Sequence, residues 1–242
     1  MLYFQEPLIN KLPKSEITLD KRKKLALKYL EKCKISRELI TEDKNGIFTI
    51  KNWNSIEEEI LIQQKNIPKK IITSNSTEIH SFKPSLFGNL MSFSGIMGYY
   101  NPFTAEAQYN AYLPSTYLPF TLAHESAHQL GFAREQEANF IGYLIGVNSE
   151  NIELRYSVEF FTLKSLLNSL ILEDEDFVNQ ILKNYSLGMK RDRDFEKSFN
   201  LKHQGALDDI FGFTNNLFLK SNQQEGVVTY SYFVNLLVCY EK

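Results

Sequence analysis

Cysteine is nearly absent from the 242 residues: only Cys33 and Cys239 occur, far apart and without metal-ligand spacing. A disulfide framework and a cysteine-rich zinc module are therefore both unexpected, and two packed thiols are the simpler reading, with a single disulfide as the other. No run of about 18 apolar residues is present, so no bilayer-spanning helix is expected in this sequence. The opening, MLYFQEPLINKLP, does not follow the pattern of a secretion signal. Positive charge is not in excess either, because 27 Lys+Arg face 29 Asp+Glu for a formal net charge of −2. A nucleic-acid surface built on bulk basic charge is not expected. Internal repeats and low-complexity tracts are also missing.

What the chain does have is a globular composition, with 43% hydrophobic and 13% aromatic residues. The length suits one domain over 1–242, in three parts: a helical part over about 1–68, a small sheet plus paired helices over 69–148, and a helical part over 149–242. Leu25, Tyr29, Leu30, Cys33 and Leu39 recur at helical spacing within 18–44 and predict an amphipathic helix. The segment NGIFTIKNW reads as a short strand after an Asn-Gly turn. Asn54 with Glu57 three residues later is a capping signature for a helix over SIEEEILIQQKNI. Strands and loop are expected in KKIITSNSTEIHSFKPS, where His80 reads as structural. A strand–turn–strand is expected in MSFSGIMGYYNPFTAEAQYNAYLP. Beyond 150 the pattern is mostly helical, and the charged run KRDRDFEK reads as a solvated turn or helix face. The fold class expected is α+β, predominantly α-helical, with one small sheet.

The chemistry concentrates in TLAHESAHQLGFAREQEANFIGYL, residues 121–144. A helix turns about 100° per residue, so His124 and His128 share one face, one turn apart. Two imidazoles so placed can reach one zinc ion, and Glu125 sits beside it, where it can take a proton from a zinc-bound water. Pro119 fits the first turn of this helix and Gly131 its end. A catalytic zinc usually keeps three protein ligands and one open position. The connection after Gly131 is short, so a second helix starting near Arg134 must lie alongside the first. Glu135, Ala138, Asn139, Gly142 and Gly146 share a small-residue face of that helix, opposite Ala123 and Ala127. If those faces meet, Glu135 points at the metal and Asn139 can support a ligating histidine. If the bulkier face meets it instead, Glu137 is the third ligand. Arg134 stands where metzincins place a third ligand, and arginine cannot bind zinc.

The stretch HESAHQLGFAREQEANFIGYL resembles a bacterial domain-of-unknown-function family, number 3810, whose members carry HExxH-xx-G-xxx-E-x-EANF. The likeness extends upstream through GIMGYYNPFTAEAQYN and downstream to LFLKSNQQEGVVTYSYFVNLL. It is similar also to gluzincin peptidases, in which the third ligand is a Glu of a later helix in an E-x-x-A-D/N setting, a pattern that Glu135, Ala138 and Asn139 match. It departs from them in the very short gap between histidines and glutamate. The resemblance implies a zincin-like fold, with the sheet before the HExxH helix and a helical C-terminal half. It also implies a soluble part of a membrane-anchored protein, anchored through segments this sequence does not contain, with the side of the membrane left open.

For the developing oxyanion, Tyr230 and His203 are the candidate donors. The PFTAEAQYNAYLP segment is a candidate edge strand for an extended peptide, with Glu106 and Asn110 lining the cleft. The leading expectation is a zinc metallopeptidase acting on peptide or protein. The alternatives are a catalytically silent, zinc-stabilised binding module and a metal-free helical scaffold for membrane-protein assembly.

Overall fold

A computed structural model describes residues 6–71, 82–86, 88, 91–92, 97–101, 106–203 and 226–241, with backbone alone for 99–101, 106–107 and 226–231. The elements in chain order are a 3-10 turn (Leu8–Lys11), α1 (Leu19–Leu39), α2 (Trp53–Gln64), β1 (Phe82–Pro84), β2 (Gly98–Asn101), β3 (Glu106–Tyr109), α3 (Leu118–Gln129), α4 (Glu135–Gly146), α5 (Ile152–Leu170), α6 (Glu175–Lys183), α7 (Leu187–Lys202) and α8 (Gly226–Tyr240). The protein is thus predominantly helical α+β with a small sheet. His80 and the LDDIFGFTNNLFLK stretch lie outside the described residues. No helix among the described residues is long and apolar enough to cross a membrane.

Helix α5 is the central strut. It is buried along nearly its whole length and packs against α1, α3, α4 and α8. Helix α1 offers it Leu25, Ala26, Tyr29, Leu30 and Cys33, one stripe at helical spacing. That stripe continues to Ile40, which is buried, while Leu39 points to solvent at 64% exposure. The helix also ends at Leu39 rather than running to 44. Both cysteines are free and buried.

Two local expectations are corrected. The NGIFTIKNW segment forms a tight turn with a single bridge, Glu42 to Phe48, and no strand. Its backbone is satisfied partly by residues 41–43, through Asp43 N to the Ile47 carbonyl and Thr49 N to the Thr41 carbonyl, and partly by side chains. Phe48 N donates to Asp192, and the Gly46 carbonyl accepts from Arg37 and Arg191. Helix α2 is capped by Asn52, whose side chain accepts from Ser55 N, and not by Asn54.

A third correction concerns KRDRDFEK. It lies on α7, but Asp192 and Glu196, one turn apart, are buried while Phe195 is exposed. Asp192 accepts from Arg37 Nε (2.6 Å) and Tyr156 Oη (2.7 Å). Glu196 accepts from Lys164 Nζ (2.7 Å) and Thr116 Oγ1 (2.5 Å). Cations and hydroxyls supplied by α1, α5 and the loop before α3 turn this charged face inward.

The sheet has the order β1-β3-β2, with β1 parallel to β3 and β2 antiparallel to it. Strand β3, which carries Glu106, is therefore central, and among the described residues β2 stands at the edge. That moves the edge away from the segment expected to receive a peptide, because β3 has both its sides paired. Strands β2 and β3 lie against α3.

Candidate metal centre

Helix α3 is held between the sheet on one side and α4 and α5 on the other, so almost all its residues are buried. It has Pro119 in its first turn and no capping side chain of its own. The orphan N–H of Phe120 donates to Ser157 Oγ of α5 (3.1 Å), and Ser157 Oγ donates on to the Thr116 carbonyl (2.7 Å). At its other end Gly131 takes φ +99, a conformation that favours glycine. Phe132 N then returns to the Ala127 carbonyl (3.1 Å). This turn folds Phe132 back over the helix end.

The two histidines are fixed from behind. His128 Nδ1 donates to the Phe132 carbonyl (2.7 Å), the group the Gly131 turn delivers. His124 Nδ1 donates to Asn139 Oδ1 of α4 (2.8 Å). An acceptor at each Nδ1 keeps a proton there and turns each Nε2 to the shared volume, where it carries either a proton bonded to Glu135 or a lone pair for a metal ion. Those Nε2 atoms face one another at 3.1 Å. The Glu135 carboxylate closes the group, Oε2 lying 3.2 Å from His124 Nε2 and Oε1 3.5 Å from His128 Nε2. All three donors lie within 4.8 Å of one another. A tetrahedral ion with bonds of about 2.0–2.1 Å holds its ligand atoms about 3.3–3.4 Å apart, so these spacings suit one ion.

Close approach of α3 and α4 brings Glu135 and Asn139 into reach. Gly142 lies where a Cβ would stand 3.1 Å from His124 N and 3.3 Å from the Ala123 carbonyl carbon. Gly146 serves a different neighbour, since a Cβ there would meet Val158 of α5. Glu137 turns away from the histidines. Its Oε1 accepts from Leu8 N and from Arg134, so it does not join the group.

The electrostatics favour a cation between the histidines. Burial alone lowers the pKa of His128, but hydrogen bonding to Glu135 and the charges of Glu125 and Glu135 outweigh it and hold it above the usual range. Hydrogen bonds from His124 and His128 hold Glu135 far below the ordinary carboxylate range. Two facing imidazole lone pairs repel unless a proton or metal ion lies between them, so the donor set fits a divalent ion.

Glu125 is 6% exposed. Burial raises its pKa, partly offset by His124 and His128. Strand β2 lies directly against it: a Cβ on Gly98 would come within 2.7 Å of Glu125 Cγ and Oε1. A buried carboxylate beside a cation site is suited to receive a proton.

Asn110 and His203 have structural contacts instead. Asn110 is fully buried; its Nδ2 donates to Ser92 Oγ and its Oδ1 accepts from Tyr112 N, so it holds a turn instead of lining a cleft. Glu106 pairs in register with Asn101. His203 closes the end of α7, donating from Nδ1 to the Phe199 carbonyl (2.8 Å) and packing on the Phe199 ring. Tyr230 falls on α8, and its side chain lies outside the described residues. Sequence reasoning missed the Phe132 carbonyl and Gly98. The first is signalled by Gly131 at a helix end. The second has no local signal, because strand and helix meet only in the fold.

No curated protein and no solved structure matches the chain. Its sequence does match the family described as "Protein of unknown function (DUF3810)" over residues 1–238, and the chain accordingly belongs to that family.

Proposed function

We propose that the protein is a zinc-dependent metallopeptidase, with His124, His128 and Glu135 as metal ligands and Glu125 as the general base. The observation that carries this reading is the convergence of two Nε2 atoms and one carboxylate beside the buried Glu125. Two histidines and a glutamate are the ligand set of one group of catalytic zinc sites, and imidazole donors suit zinc.

When bound, zinc supplies a Lewis acid that polarises a carbonyl oxygen and acidifies water. The protein's own residues do the rest. Asn139 and the Phe132 carbonyl orient the imidazoles. Glu125, its proton affinity raised by burial, takes the proton of an attacking water and passes it to the departing amine. Strand β2, at the sheet edge among the described residues and against Glu125, is the backbone beside which an extended peptide would lie. Tyr230 is proposed as the donor to the developing oxyanion, on a helix that packs against α4. A peptide or protein substrate and attachment to a membrane through further segments belong to the same proposal, resting on the likeness to gluzincins and to the family.

The test is Glu125→Gln. The variant is expected to hold zinc as tightly as the parent while hydrolysis of a peptide library falls by about 10²–10⁴-fold. Equal cleavage by both proteins would contradict the role of Glu125.

A further inference from the structure

Helix α4, which opens with Glu135, starts without a conventional cap: Arg134 at the N-cap position makes no side-chain capping bond. A helix start with unsatisfied N–H groups frays unless something else holds it. The brace comes from Glu137. Its carboxylate is buried, and a single oxygen, Oε1, accepts both Leu8 N (2.8 Å) and Arg134 Nη1 (3.1 Å). Leu8 opens the 3-10 turn near the start of the chain, and its side chain is 2% exposed. That turn packs against α8, and Lys11 Nζ bonds the Ile71 carbonyl (3.3 Å). The N-terminal turn is thereby fastened, across 129 positions of sequence, to the first turn of the helix that presents the third donor.

We propose that Glu137 is a positioning residue for the metal centre, latching the first turn of α4 to the Leu8 turn and so holding Glu135 where it meets the two histidines. Metal affinity then depends on the N-terminal turn. This rests on the reading of His124, His128 and Glu135 as ligands of a divalent ion. A purely structural Glu137 would alter the stability of the fold and leave the affinity of the folded protein for zinc untouched.

The test is competition for zinc between the full chain and a chromophoric chelator, alongside thermal melting of the metal-free protein, for the parent, E137A and E137Q. E137A is expected to weaken zinc affinity about tenfold, the scale on which supporting partners of ligands act. E137Q keeps Oε1, which alone accepts both bonds, and is expected to bind zinc as the parent does. Zinc affinity unchanged in E137A, with only its melting temperature lowered, would overturn the proposal, as would E137Q as weak as E137A. A parent that binds no zinc would instead remove the metal reading beneath it. Should E137A fail to fold, Leu8→Pro carries the test. Pro7 already has the extended ψ of 136 that a following proline requires, and the first position of a helical turn tolerates proline, so the backbone admits the substitution. It removes the donating N–H together with the buried Leu8 side chain, and Leu8→Ala, which keeps the N–H, separates the two. L8P is expected to weaken zinc binding as E137A does, and parental affinity in a folded L8P would overturn the latch.

Discussion

At the scale of single residues, the far nitrogen of each histidine decides what the near one can do. Asn139 Oδ1 and the Phe132 carbonyl each take an Nδ1–H, and both Nε2 atoms are thereby committed to the same small volume. Asn139→Ala frees the His124 ring to rotate and is expected to weaken zinc binding by about 10–100-fold in chelator competition, with α4 still folded. Gly98 acts through steric room. Gly98→Ala puts a methyl group into the space of the Glu125 carboxylate, which must move aside. Zinc affinity is expected to persist while peptide hydrolysis falls by about 100-fold, the size of effect that a misplacement of about 1 Å produces. Parental hydrolysis by the alanine variant would show that the position of Glu125 is not set by β2.

At the scale of elements, the centre is the meeting of α3 and α4 across a contact close enough for backbone to touch. Glycine inside a helix costs about 1 kcal/mol relative to alanine, and at 142 the approach of the His124 backbone accounts for its presence. Gly142→Val is expected to force the helices apart, lowering stability by about 1–3 kcal/mol in denaturant melts and weakening zinc binding with it. Parental stability and affinity would mean that the contact is slack. Much of this pair was legible in the sequence. The spacing of His124 and His128, Pro119 and Gly131 at the helix ends and the small residues of α4 are local signals, read over one or two turns. The Asn52 cap was mistaken for Asn54 because both fit a capping residue, and only the hydrogen bond to Ser55 N separates them. Leu39 fits the helical spacing of the α1 stripe, but the face drifts over the roughly four turns from Leu25 and Ile40 takes the inward position.

At the scale of the whole molecule, buried charge joins parts far apart in sequence. Arg37 of α1, Tyr156 of α5, Phe48 N and Asp192 of α7 form one group with Asp192 fully buried. Nothing in KRDRDFEK distinguishes Asp192 and Glu196 from their exposed neighbours, since their burial depends on Arg37 and Lys164 arriving from other helices. The same limit hid Leu8 against Glu137 and Gly98 against Glu125. Asp192→Ala leaves the 3%-exposed Arg37 side chain without its main buried partner and is expected to cost about 3–5 kcal/mol of stability in urea unfolding. The zinc affinity of the folded fraction should be unaffected, because Asp192 makes no contact with the histidine pair. Whether a divalent ion is held by His124, His128 and Glu135 is decided by the zinc stoichiometry of the purified and reconstituted chain together with X-ray absorption at the metal edge. About one zinc per chain is expected, with two imidazole nitrogens and carboxylate oxygen among its ligands. Absence of bound zinc after reconstitution, or a coordination shell that survives replacement of both histidines by alanine, would contradict this assignment.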